Sequence, residues 1–338
     1  MNPFDRQAIA GAEETGSIGV VYLKRYWSHI VASRSGGSPS TITQDDVVAE
    51  TVLLAGLRLG IRETLDFLVT AMPSFEAFEE WVLAKNGNTI EPERLRRLNG
   101  ALRGNGTFAL ETILPEPVLS PSDLAFWDEH GYVVVKQAVD RKQCQAAVDA
   151  ICDYADMSMD EPDSWYKDHI WIALAHSPAL WSNRNSPRIH TAFSQIYKRC
   201  DLWMNVDVCG VNPPMRPGYN FRGAPLHWDM TLAPPHCFGT QAILYLTDTA
   251  ENQGAFSCVP GFHRKLERWL AELPAGADPR TRATAELQAT PISGDAGDLI
   301  IWHQALPHGA TPNRAALPRV AQYLNMFPSR FEVNTTWI

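Results

Sequence analysis

His227, Asp229 and His308 are the side chains whose types and order could hold a transition metal. In an extended segment, residues two apart point the same way, so His227 and Asp229 present an imidazole and a carboxylate together across Trp228. His308, arriving from a later strand, completes a set of two histidines and one carboxylate. Such a set leaves roughly three of six octahedral positions open, the arrangement expected of non-haem Fe(II) centres that activate oxygen. A His-x-Asp pair alone is weak evidence, since it also occurs as a surface pair near a turn.

The surroundings of His308 strengthen the reading. Gly297-Asp298 reads as a turn feeding the apolar strand Leu299 to Trp302, and Gly309 follows His308, where it permits close backbone approach. Eleven residues beyond His308, Arg319 opens a strand running to Phe327. Alternation puts Arg319, Ala321, Tyr323 and Asn325 on one face and Val320, Gln322, Leu324 and Met326 on the other. An arginine on an inward face is costly to bury without an anion. A ligand carboxylate gripped by the guanidinium fork supplies one. His303 competes with His308 and reads as a hydrogen-bonding neighbour at the strand end. Arg314, the rival of Arg319, sits in the turn-rich Thr311-Pro312-Asn313-Arg314 and reads as a surface residue. His236, after Pro234-Pro235, reads as a loop residue, and His263 as a turn residue.

The ordered set resembles the phytanoyl-CoA dioxygenase family of Fe(II)/2-oxoglutarate oxygenases. The resemblance rests on His227-x-Asp229, His308 and Arg319 with their spacing, on Phe126 to Val135, on Leu246-Thr247-Asp248-Thr249 and on Gly254 to His263. It covers roughly residues 118 to 330. It implies Fe(II) held by His227, Asp229 and His308, 2-oxoglutarate chelating the iron with its distal carboxylate on Arg319, and O2 in the remaining position. Gln241 and Asn212, on strands near the site, are candidate co-substrate contacts by the same resemblance, with packing or capping as the alternative. The implied reaction couples decarboxylation of 2-oxoglutarate, to succinate and CO2, with hydroxylation of a substrate C–H bond. Related halogenases carry a small residue in place of the carboxylate; Asp229 therefore favours hydroxylation, desaturation or ring closure over halogenation.

The 338 residues suffice for one large domain or two modest ones. A net charge of -9 gives no general attraction to nucleic acid or an anionic membrane. Six cysteines without a C-x-x-C pair suit reduced thiols in a cytoplasm, and no secretory segment or membrane span is visible. The expected partner is a small-molecule substrate.

Residues 1–115 read as a helical domain or extension. Asp45 to Leu59, Ile61 to Met72 and Phe75 to Lys85 have apolar residues at helical spacing, with Ser74 as a cap. A Ser/Gly loop is expected from Ser33 to Ser40, and Pro115 to Pro121 reads as the join. The helices could cover the site, form a homodimer interface or dock a carrier protein; packing on the following domain is the least demanding use of their apolar stripe. Residues 116–338 read as mainly β with helices: a double-stranded β-helix (jelly roll, cupin-like), which is also the resembled family's fold. Ser120 caps a helix ending at Gly131, Tyr132 to Lys136 is a strand and Gln143 to Met157 a helix. Val206 to Val211, Gln241 to Leu246, Leu299 to Trp302 and Arg319 to Phe327 are the clearest strands. The aromatic stretch with Trp165, Tyr166, Trp171 and Trp181 reads as a packed layer over the sheet or a cover over substrate. Two other classes fit the same residues: a cupin-type metal enzyme without 2-oxoglutarate, and a non-catalytic binding protein.

Overall fold

The computed structural model describes residues 9–34, 43–104, 116–167, 170–221, 223 and 225–337. Most of the Ser/Gly loop expected at Ser33 to Ser40, and Pro115 of the expected join, lie outside them. Five helices come first: α1 (Leu23–Arg34), α2 (Gln44–Gly56), α3 (Ile61–Ala71), α4 (Phe75–Lys85) and α5 (Pro92–Leu102). They form one compact unit with residues 199–206 and 327–335; the remaining described residues from 116 onward form a second. In the first unit, Leu53, Leu68, Phe78, Val82 and Leu98 are buried in one core. Ser74 caps α4 by accepting from the Ala77 amide at 3.3 Å, as its position before Phe75 predicts.

The second unit opens with α6 (Pro121–His130), started by the reciprocal Ser120–Asp123 capping box and ended by Gly131 at φ 74°. Then come β1 (Tyr132–Val135), α7 (Arg141–Ala155), β2 (Trp171–Ile172), α8 (Pro178–Arg184) and α9 (Pro187–Tyr197). After β3 (Leu202–Met204), which belongs to the first unit, come β4 (Cys209–Asn212), β5 (Thr240–Tyr245) and β6 (Phe256–Cys258). Helices α10 (Leu266–Ala271) and α11 (Pro279–Glu286) precede β7 (Thr290–Pro291), β8 (Leu299–His303) and β9 (His308–Ala310). β10 (Arg319–Tyr323) and β11 (Met326–Pro328), of which Phe327 and Pro328 belong to the first unit, end the series.

Six strands make an antiparallel sheet in the order β1-β8-β5-β10-β4-β2, and three more make the sheet β7-β6-β9. Residues directly opposite on paired strands share a face. The pairs Gln241–Trp302, Ile243–Ile300, Tyr323–Ile243, Ala321–Tyr245 and Arg319–Asn212 therefore put all of these side chains on one face of the large sheet. That face meets the smaller sheet: Phe256 of β6 packs on Trp302 with ring centroids 4.3 Å apart, and both join one buried cluster. The other face is covered by helices, with Gln322 donating to the Leu180 carbonyl of α8 at 3.1 Å.

The expectation of a mainly β protein needs correction: the sheets are antiparallel and the N-terminal helices are present, but helix exceeds strand among the described residues. The strands are short, and α7, α8 and α9 add helix within the second unit. The first residues of α8 and α9 are Pro178 and Pro187, where a missing amide proton costs a helix nothing. No helix among the described residues is long and apolar enough to cross a membrane.

Candidate metal centre

His227 and His308 are held opposite each other by a single antiparallel bridge. The His227 amide donates to the His308 carbonyl at 2.9 Å, and the His308 amide to the His227 carbonyl at 2.9 Å. The segment around His227 is thus not the full strand its alternation suggests. It is one bridge flanked by bends at Leu226, Asp229 and Met230, with the Trp228 and Met230 side chains buried. The Trp228 indole donates to the Ala305 carbonyl at 2.9 Å and packs on Phe262 and Trp269, which leaves His227 and Asp229 on the open side.

The three side chains converge. His227 Nε2 lies 3.4 Å from Asp229 Oδ1 and His308 Nε2 lies 3.3 Å from Asp229 Oδ2. One ligand atom from each of the three falls within 4.8 Å of the others. The backbone fixes the tautomers. His227 Nδ1 faces the Pro225 carbonyl at 2.8 Å and His308 Nδ1 faces the Leu306 carbonyl at 3.1 Å. A carbonyl oxygen only accepts, so each Nδ1 must carry a proton, and each neutral ring turns its Nε2 lone pair toward Asp229. Two lone pairs and a carboxylate aimed at one point repel unless a cation lies between them. That donor set, with both outer nitrogens anchored, fits a divalent transition metal.

Without a metal a proton takes the cation's place. Burial pulls His227 toward its neutral form, but Asp229 and the Pro225 carbonyl more than offset this and raise its pKa above the ordinary value. Hydrogen bonds from His227 and His308 hold the Asp229 carboxyl far below the usual carboxylate range, against the opposing effect of burial. Gln241 Nε2 also donates to Asp229 Oδ2, at 2.6 Å, and its own Oε1 accepts from the Trp302 indole at 3.1 Å. Trp302 further packs on His308, ring centroids 5.1 Å apart. The large sheet thus orients both Asp229 and His308 through Trp302 and Gln241.

Arg319 occupies the same sheet face and is 2% exposed. Its Nη1 reaches the Tyr323 hydroxyl at 3.4 Å, and its Nε has no hydrogen-bond partner. Among the described residues no carboxylate pairs with it. A buried guanidinium with spare donors is a site prepared for an anion. Asn212, opposite it on β4, donates to the Thr311 carbonyl at 3.1 Å, while its Oδ1 is buried without a partner.

The neighbours divide as follows. His303 lies one residue beyond Trp302 and so faces the other side of the sheet, where its ring meets His263 and Phe238. His263 lies in the 3-10 helix Phe262–Arg264, and His236 bonds the Leu232 carbonyl at 3.0 Å. Arg314 is exposed. The aromatic stretch splits: Trp165 is buried, whereas Trp171 is 48% exposed and its ring lies 5.1 Å from that of Tyr323. The two anchoring carbonyls were not visible in the sequence, because Pro225 and Leu306 matter through their backbone alone. Their one shared signal is position, each lying two residues before a histidine.

The sequence pattern of the phytanoyl-CoA dioxygenase family matches residues 127–321. The chain belongs to the phytanoyl-CoA dioxygenase family. Membership brings Fe(II) as cofactor and 2-oxoglutarate and O2 as co-substrates. A Dictyostelium discoideum protein named for phytanoyl-CoA dioxygenase is 24% identical over 259 residues, 60% of this chain and 74% of its own. The Ava biosynthesis cluster protein O of Aspergillus versicolor is 21% identical over 238 residues, 60% of this chain and 75% of its own. Among solved structures, the non-haem α-ketoglutarate-dependent carbocyclase SnoK from nogalamycin biosynthesis superposes with a TM-score of 0.47. It shares 20% identity, over 64% of this chain and 87% of its own. HygX from Streptomyces hygroscopicus, with nickel and 2-oxoglutarate bound, gives 0.45 and 16% identity over 63% of this chain and 88% of its own. At these scores the likeness bears no argument about the reaction.

Proposed function

We propose that this family member is an Fe(II)/2-oxoglutarate-dependent oxygenase that hydroxylates a C–H bond of a small molecule, built on a double-stranded β-helix. The observation that carries the proposal is the convergence of His227 Nε2, His308 Nε2 and the Asp229 carboxylate, with both Nδ1 atoms committed to backbone carbonyls. His227, Asp229 and His308 are the iron ligands in this reading. Arg319, with the Tyr323 hydroxyl beside it, binds the distal carboxylate of 2-oxoglutarate. Asn212 lies opposite Arg319 on the same face and lines the co-substrate site with its amide held by the Thr311 carbonyl, and Gln241 acts on Asp229.

When bound, the iron centre supplies the oxidising chemistry, in which 2-oxoglutarate, O2 and R–H become succinate, CO2 and R–OH. The protein's own residues bind and orient. Pro225 and Leu306 keep both Nε2 atoms unprotonated toward the centre once a metal displaces the proton. Gln241 keeps Oδ2 of Asp229 from swinging away. Phe256 and Trp302 pack beside His308 and keep water from that side of the ring. The carboxylate of Asp229 occupies the place that a halide would need, so hydroxylation, desaturation or cyclisation is the fitting outcome.

Turnover of 2-oxoglutarate without added substrate tests the assignment. We expect slow succinate formation that requires Fe(II) and O2 and disappears in Asp229→Ala. Succinate formed at the same rate by that variant would remove the proposed ligand set.

A further inference from the structure

We propose that Arg280 is a positioning residue for the metal centre, acting as a clamp on the backbone either side of Asp229. The inference rests on the reading of His227, Asp229 and His308 as metal ligands. From the second residue of α11, Arg280 Nη1 donates to the Trp228 carbonyl at 2.8 Å and Nη2 donates to the Met230 carbonyl at 3.0 Å. One planar group therefore spans the carbonyls of the residues on either side of Asp229. One turn further along the helix, the Thr284 hydroxyl lies 3.3 Å from the Leu226 carbonyl.

The pattern has a simple origin. On one edge of the 226–230 segment, His227 pairs with His308 through both its amide and its carbonyl. That bridge leaves the carbonyls of Leu226, Trp228 and Met230 unused, and α11 meets them with Arg280 and Thr284. This matters most at Asp229, where the chain leaves the bridge and bends. The Asp229 side chain is half exposed, and no ladder fixes the direction in which it leaves the backbone. Charge-assisted bonds from a rigid fork to the carbonyls on both sides fix that direction. A lysine ammonium keeps the charge but lacks the planar fork that spans two carbonyls at once.

α11 has anchors besides Arg280. Asp278 caps it by accepting from the Thr281 amide at 2.9 Å, and Ala283 is buried in the core that contains Trp228. Loss of the guanidinium should therefore loosen the Asp229 segment more than the helix.

Calorimetric titration of the metal-stripped full-length protein with Co(II), paired with thermal melts, tests the clamp. Arg280→Ala should raise the Co(II) dissociation constant about 10- to 100-fold, the usual range for residues that orient metal ligands. Arg280→Lys should fall between Ala and wild type, and both should melt close to wild type before metal is added. Unchanged Co(II) affinity in Arg280→Lys and Arg280→Ala overturns the inference, and so does a lower melting temperature with unchanged affinity. If Arg280→Ala does not fold, Arg280→Lys decides alone. Asp229→Ala separates the two levels: wild-type Co(II) affinity in that variant overturns the ligand assignment. Loss of affinity there, with both Arg280 variants unaffected, overturns only the clamp.

Discussion

Replacing Arg319 by leucine should separate co-substrate binding from stability. The guanidinium is 2% exposed, has one long contact to the Tyr323 hydroxyl at 3.4 Å and leaves Nε without a partner. Before co-substrate binds, the fold holds a poorly compensated buried charge, which is costly. Leucine removes that charge but is shorter than arginine and leaves a cavity, so the two effects oppose and the melting temperature of Arg319→Leu should stay near that of wild type. The same substitution deletes the partner of the 2-oxoglutarate carboxylate. Truncating one partner of a buried charge pair costs about 2–5 kcal/mol. At about 1.4 kcal/mol per tenfold, the 2-oxoglutarate requirement should rise by roughly 30-fold to several thousand-fold. The assay is an anaerobic 2-oxoglutarate titration of the Fe(II) protein, paired with a melt of the metal-free protein. A destabilised variant with an unchanged 2-oxoglutarate requirement would refute the reasoning, since Arg319 would then be serving the fold.

Two further substitutions probe the surroundings. Gln241→Leu removes the 2.6 Å hydrogen bond to Asp229 and should weaken metal binding about 10- to 100-fold, read by metal titration, while the melting temperature stays near wild type. His303 gives a pH test: burial, with the nearby His263 adding to it, pushes its pKa down to about 4. Its neutral form is favoured by folding, so its contribution to stability is present above the ordinary histidine pKa and is lost as pH falls from there through about 4. Melts between those limits should show wild type losing stability faster than His303→Phe; parallel curves would place the acid sensitivity elsewhere.

Much of the local placement of the candidate site residues was legible in the sequence. Arg319, Ala321 and Tyr323 share a sheet face as their alternation demands, and Ser74 and Ser120 cap the helices they precede. Trp302 and His303 face opposite sides because they are adjacent on one strand, which separates His303 from His308. What the sequence did not disclose is set by tertiary placement. His227-x-Asp229 alternates like a strand, yet a single bridge and a bend hold it. Gln241 reads as a co-substrate contact, yet the register opposite Trp302 puts its amide on Asp229. Arg280 lies about fifty positions past Asp229 on a short polar helix, and no spacing rule links the two.

The most direct test of the metal-centre account is anaerobic addition of Fe(II) and then 2-oxoglutarate, watching for the visible charge-transfer band of the chelated metal. The account predicts a band that appears only with both, and that is lost in Asp229→Ala. Iron binding without the band would contradict the co-substrate assignment, and failure to bind iron would contradict the centre itself.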